Sequence, residues 1–298
     1  MEKCRKQLPK FYRQKFLLVL LEVFGKELKK MDFQKYLFLY QQLYRSNNPL
    51  YYFVPYKYGP FSFQAYADLH KMENQGFLIV EDTIKLTTKI TNYEFLKKED
   101  KKAIEDFYLK FKNLHGRALL QYVYEKYPYY ASKSEIRGKI TSKEYMQIEN
   151  TNTEKSLFTL GYEGITIEQY LNMLIKNNIH SVIDVRKNPI SMKYGFSRKT
   201  LKNALENLNI EYIHLPELGI DSNKRKDLST LEDYNVLFEY YKKNVLLKQK
   251  SAIERILKEY SKKNRVVLTC FEKDPKYCHR SKISDYIENH FGIKVIHL

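Results

Sequence analysis

Cys270, Glu272, Cys278, His279 and Arg280 crowd the stretch 270–280, behind the apolar run Val266-Val267-Leu268 and ahead of a helix-like segment from Ser281 to His290. Two thiols, a carboxylate, an imidazole and a guanidinium therefore gather at the end of an expected buried strand, where open α/β sheets bind their ligands. A thiol at a helix start beside Arg280 has a lowered pKa, which makes Cys278 a candidate nucleophile with His279 as its base. Cys270, Cys278 and His279 would supply three metal ligands. The separation of Cys270 from Cys278 matches no standard zinc spacing, however, and no metal ligand is assigned. Cys270 reads equally well as a strand-end core thiol.

Two further strand ends carry polar loops. In Thr159-Leu160-Gly161-Tyr162-Glu163-Gly164 the glycines permit close backbone approach, and the helix that follows offers its N-terminus to an anion. The glycine spacing is neither a dinucleotide fingerprint nor a phosphate-binding P-loop. In Asp184-Val185-Arg186-Lys187-Asn188-Pro189-Ile190-Ser191, Asp184 ends an apolar strand, where a carboxylate is costly unless paired. Arg186 lies two residues on, on the same side of an extended chain. One reading makes Asp184 a general base and Arg186 a grip for phosphate or carboxylate. The other makes them a structural pair that fixes the loop.

The elements that must position these loops follow from patterning. Strands are expected at 157–160, 181–185, 210–215, 265–269 and 293–296, with helices at 166–176, 198–207, 231–260 (one helix or two) and 279–290 between them. That alternation predicts an α/β domain over 156–298, with a Rossmann-like, mostly parallel five-stranded sheet and helices on both faces. The first part of the chain is different. Helices are expected at 9–25, after an Asp32 cap, and from Ser62 to Gln75, followed by a hairpin of 77–80 and 84–87. This order is that of an α-rich winged helix-turn-helix domain over 1–95. A helical extension at 96–131 and a polar linker at 132–155 follow it. Tyr122, Tyr124, Tyr127, Tyr129 and Tyr130 in the extension read better as packing residues than as a base-stacking platform.

Bulk properties bound the function. The chain has 298 residues and a net charge of +17. Residues 1–150 carry 27 basic and 17 acidic side chains and the remainder 25 and 18, so both halves are basic. This favours a polyanionic partner, nucleic acid and DNA first. Three cysteines, Cys4, Cys270 and Cys278, make no disulfide framework. The apolar run 16–24 is too short to span a membrane, and a cytoplasmic protein is expected.

The region around Tyr58-Gly59-Pro60, with its following helix, glycine and small hairpin, resembles the phage-associated SocA-like antitoxin domains. From Phe158 to Leu298 the chain resembles the family catalogued as domain of unknown function 488. That resemblance rests on the three strand-end loops above, on Tyr194-Gly195-Phe196-Ser197, and on Tyr212-Ile213-His214 with Leu218-Gly219. Met192 and Ile220 stand where the family often has Arg and Gly. Carried over motif by motif, the resemblance implies ligand contacts at Gly161, Arg186, Pro189, Ser191, Cys270 and Arg280, with Tyr162 beside them. It implies chemistry at Asp184, Glu272, His279 and Cys278.

The function expected from all this is a nucleic-acid-associated protein, with DNA as the first partner and a role in phage defence or DNA processing. Its α/β domain would bind or hydrolyse a nucleotide, base or phosphoester. A hydrolase would need no cofactor, with a divalent metal left open. The alternative is a non-catalytic regulator or sensor, with a protein partner docked on the winged domain. A rhodanese-like sulfurtransferase is the weakest reading.

Overall fold

The computed structural model describes residues 9–87, 93–141, 153–225 and 228–298, and the chain divides into two compact units at 149/150.

The first unit is helical, with small sheets at its edges. Helix α1 (Tyr12–Val23) and helix α2 (Lys30–Tyr44) bury Phe16 to Leu21 and Tyr36 to Tyr40 almost without interruption. Such helices must be covered on several sides. Helix α3 (Phe63–Asn74) starts at Ser62 as expected, with the Ser62 hydroxyl accepting from the Ala65 N–H at 3.2 Å. The hairpin of β4 (Leu78–Val80) and β5 (Thr83–Leu86) also forms, and β5 pairs on its other side with a short strand, β1 (Glu27–Lys29). Between α2 and α3, β2 (Val54–Tyr56) and β3 (Gly59–Phe61) make a second small hairpin. Helices α4 (Lys98–Phe111) and α5 (Gly116–Lys126) complete the core. Tyr124 is fully buried, and Tyr122, Tyr127 and Tyr130 pack on that core. A helical turn, α6 (Arg137–Ile140), adds Ile136 and Ile140, while 142–152 of the expected linker lie outside the described residues.

Asp32 is not the cap of α2. It sits in the first turn of that helix, and its carboxylate accepts from the Gly116 N–H at the start of α5, 3.1 Å away. Asp68 is a second internal anchor: it accepts from Arg13 Nε at 2.6 Å, Gln14 Nε2 at 3.0 Å and Tyr51 Oη at 2.9 Å.

The second unit is an α/β domain with the five-stranded parallel sheet that its pattern predicts. Its strands are β6 (Ser156–Gly161), β7 (Ser181–Asp184), β8 (Glu211–His214), β9 (Arg265–Cys270) and β10 (Val295–His297), in the order β10-β6-β9-β7-β8. Helices α7 (Ile167–Lys176), α8 (Arg198–Glu206), α9 (Leu231–Asn244), α10 (Lys250–Lys263) and α11 (His279–Phe291) flank it. Alternate residues Leu157, Ile183, Val266, Leu268 and Cys270 share one core with apolar side chains of α9, α10 and α11. The chain passes from β6 to β7 leaving one place vacant, and β9 fills it. The carboxyl ends of β6, β9 and β7 are therefore neighbours, with Gly161 opposite Cys270 and Thr269 opposite Asp184. No described helix is long and apolar enough to cross a membrane.

In the first unit, Lys35 is buried beside a cavity of about 720 Å³ and donates to the Pro60 carbonyl at 3.1 Å. Burial pulls its pKa down to about 7, against the pull of Asp32. Between that value and an unfolded pKa of about 10.4, the unfolded chain holds a proton that the folded chain lacks. Stability therefore rises with pH across this window, by up to about 1.4 kcal/mol per unit from this group. Lys35→Met is expected to flatten that rise, read as the difference in denaturant midpoint from the parent at pH 7 and pH 9.

Candidate functional site

The three loops at the carboxyl edge of the sheet are tied together by buried charge. Asp184 is fully buried at the end of β7. Its carboxylate accepts from Arg186 Nε at 2.8 Å, Arg186 Nη2 at 2.6 Å, the Arg186 backbone N–H at 3.1 Å and Tyr212 Oη at 2.7 Å. Burial first, and then Asp184, pushes the Tyr212 hydroxyl pKa up, so it stays a donor. Arg186 spends its remaining fork on the Tyr162 hydroxyl at 2.6 Å and the Phe196 carbonyl at 2.9 Å. The Tyr162 ring stacks on Phe196 with centroids 4.1 Å apart. The Arg186 carbonyl accepts from His214 Nε2 at 2.8 Å. Asp184 and Arg186 thus stand together as a satisfied pair that braces the loops after β6 and β7.

The loop after β9 is held by Arg280, which is 1% exposed. It donates through Nη1 to the Glu272 carbonyl and through Nη2 to the Lys273 carbonyl at 2.7 Å. Gly161 makes room for this loop: a Cβ there would lie 1.8 Å from the Glu272 carbonyl oxygen. Pro189 and Ser191 shape the loop after β7 through their backbones. The Pro189 carbonyl accepts from the Arg198 N–H at 2.8 Å, and Ser191 exchanges backbone bonds with the Ser197 hydroxyl at 3.2 and 3.1 Å.

Cys270, Cys278 and His279 come together from the end of β9 and the start of α11, all buried. His279 Nε2 lies 3.0 Å from the Val185 carbonyl, which makes that nitrogen the donor. Its Nδ1 then carries the lone pair, which faces Cys270 Sγ at 3.8 Å, Cys278 Sγ at 3.9 Å and Arg225 Nη2 at 3.1 Å. Arg225 also pairs with Glu272, Nη1 to Oε1 at 3.0 Å, and the other Glu272 oxygen takes the Cys270 thiol at 3.3 Å. Burial, then Cys270, raises the Glu272 carboxyl against the pull of Arg225. Burial also disfavours thiolate at both cysteines. At Cys270 this is overcome by Cys278 and then Arg225, which hold its thiol well below the usual range. Cys278, next to Cys270, is held above it.

Two cavities open on this edge. One, of about 310 Å³, is lined by Tyr162, Arg186, Lys187, Ser191, Arg225 and Phe271 among others. The second, of about 230 Å³, is lined by Glu272, His279, Tyr277 and Tyr234, again with Arg225. Of the residues expected to form the site, Tyr162, Arg186 and Ser191 line the first cavity, and Glu272 and His279 the second. Asp184, Cys270, Cys278 and Arg280 lie beneath them. Sequence reasoning passed over Lys187, inside a quoted motif, and Arg225, in the polar segment 221–230. Its only signal there was its charge.

Residues 166–287 match the family model described as domain of unknown function DUF488, in agreement with the motifs of the second unit. No curated protein and no solved structure matches the chain.

Asp184→Asn keeps the shape but leaves Arg186 buried without its countercharge, which costs about 3–5 kcal/mol for a buried pair. A marked fall in the denaturant midpoint of the second unit is expected. A side chain needed for chemistry alone would leave that midpoint unchanged.

Proposed function

We propose that the protein works on nucleic acid, with DNA as the first partner, and that its second unit takes a nucleotide or a base with its phosphate into the 310 Å³ cavity. The observation that carries this reading is the lining. Arg186, Lys187 and Arg225 surround the space, Asn188 and Ser191 add polar groups, and no carboxylate faces it among the described residues. Lys187 has no side-chain partner among those residues, which leaves its ammonium for an incoming anion. Phe271, 41% exposed, offers a ring on which a base can stack. Ile190 and Met192, 84% and 103% exposed, project from the loop after β7, between Lys187 and Lys193 along the chain. Apolar tips flanked by cations suit insertion beside an unstacked base. A net charge of +17 supplies the long-range attraction.

The geometry favours binding over hydrolysis as the primary role. Asp184, Arg186 and Arg280 are committed to the protein itself, and the non-catalytic sensor is the reading this supports. Hydrolysis of an N-glycosidic or phosphoester bond would fall to groups on the second cavity, Glu272 and His279.

The test uses the full chain. Calorimetric titration with mononucleotides, and anisotropy with labelled single- and double-stranded DNA, are expected to show binding that weakens with salt. Lys187→Ala is expected to weaken mononucleotide binding about tenfold, or about 1.4 kcal/mol. Its thermal midpoint should not move, because Lys187 anchors nothing. Equal affinity in parent and variant, or no binding by the parent, overturns the reading. Released bases or cut strands in the same incubations would add catalysis to it.

A further inference from the structure

We infer that Cys270, Cys278 and His279 form a zinc-binding site. Their three ligand atoms lie within 4.8 Å of one another, and all three residues are buried. A tetrahedral zinc with Zn–S near 2.3 Å and Zn–N near 2.0 Å has S···N edges of about 3.6 Å. The two S···N distances here are 3.8 and 3.9 Å, so small side-chain shifts close the set around an ion. Two thiols and an imidazole select zinc over magnesium or calcium, which take oxygen ligands.

The imidazole is already oriented for this role. Metal-bound histidines almost always donate their second ring nitrogen to a carbonyl or carboxylate, which fixes the tautomer. His279 does so to Val185, and this turns the Nδ1 lone pair toward both sulfurs. Each thiol would ligate as thiolate, its proton passing to solvent, so that one zinc dication and two thiolates leave the buried cluster neutral. The fourth position faces the cavity of about 230 Å³, where Glu272, with one oxygen 3.3 Å from Cys270 Sγ, or a water can fill it.

Arg225 competes for the same lone pair. Its Nη2 lies 3.1 Å from His279 Nδ1, so an ion there must displace the guanidinium. Removing that guanidinium therefore favours zinc. A merely structural cluster would not behave this way.

The full-length protein, purified under reductant, is to be analysed for metal content and titrated with zinc against a chelating dye. One equivalent per chain is expected. Cobalt in place of zinc should give the near-ultraviolet charge-transfer band of thiolate ligation. Cys270→Ser, Cys278→Ser and His279→Gln should each weaken zinc binding by more than about tenfold, while Cys4→Ser leaves it unchanged. Arg225→Ala should tighten zinc binding and weaken mononucleotide binding, so the two sites are scored separately. Should a ligand variant unfold, the cobalt spectrum of the parent and the Arg225→Ala affinity still decide. The inference is overturned if the reduced, folded parent takes up no zinc from the dye. It is equally overturned if uptake survives in Cys270→Ser/Cys278→Ser, or if cobalt gives no thiolate band.

Discussion

The carboxyl edge of the second unit depends on one buried ion pair, Asp184 with Arg186. Taking both charges out of water is expensive, and the cost is offset only where geometry and extra hydrogen bonds are good. Here the guanidinium meets the carboxylate through two nitrogens, Tyr212 donates a further bond, and the rest of the fork reaches Tyr162 and Phe196. The pair therefore fixes positions on four separate segments: the end of β7, the loop after β6, the turn before α8, and β8. These bonds specify the four positions by direction, which apolar contact lacks. The floor of the 310 Å³ cavity is a consequence of this arrangement.

Arg280 plays the matching part on the other side of β9. Its guanidinium turns the Glu272 and Lys273 carbonyls inward, which curls the loop back over the end of β6. The curl is possible only because Gly161 has no side chain at the point of contact. Once the loop is curled, Cys270 and Glu272 at its start stand against Cys278 and His279 at its end. The thiol–imidazole cluster is thus set by an arginine that bonds the loop backbone on either side of its curl.

The sequence made the second unit legible because its strands are nearly continuous apolar runs and its helices amphipathic, which is what a sheet covered on both faces requires. A local cap was also readable: Ser62 serves α3. Contacts made far along the chain were not. Asp32 carries the type and position of a cap, yet it serves a helix that begins at Gly116. Strand β1 is three residues, Glu27-Leu28-Lys29, too short for alternation to register, and it exists because β5 offers it an edge. Arg225 sits in a segment without periodicity, and only the folded loop brings it to Glu272 and His279. Asp184 and Arg186 were visible as a pair. Which of their two roles applies depends on Tyr162, Phe196 and Tyr212, whose approach no spacing reveals.

What remains is a division between charges that are spent and charges that are not. Asp184, Arg186 and Arg280 are satisfied from within, and moving any of them would undo the loops. Lys187, Arg225, the His279 lone pair and the two thiols are the groups that a ligand can still engage. Arg225 belongs to both cavities at once, paired with Glu272 and donating to His279. An anion in the first cavity and a cation on His279 would each draw the guanidinium the same way, off the imidazole. Two ligands that favour the same position of one side chain must raise each other's affinity by the same factor. Arg225 lines both cavities, and the residue that links them is the one whose place in the sequence gave least sign of it.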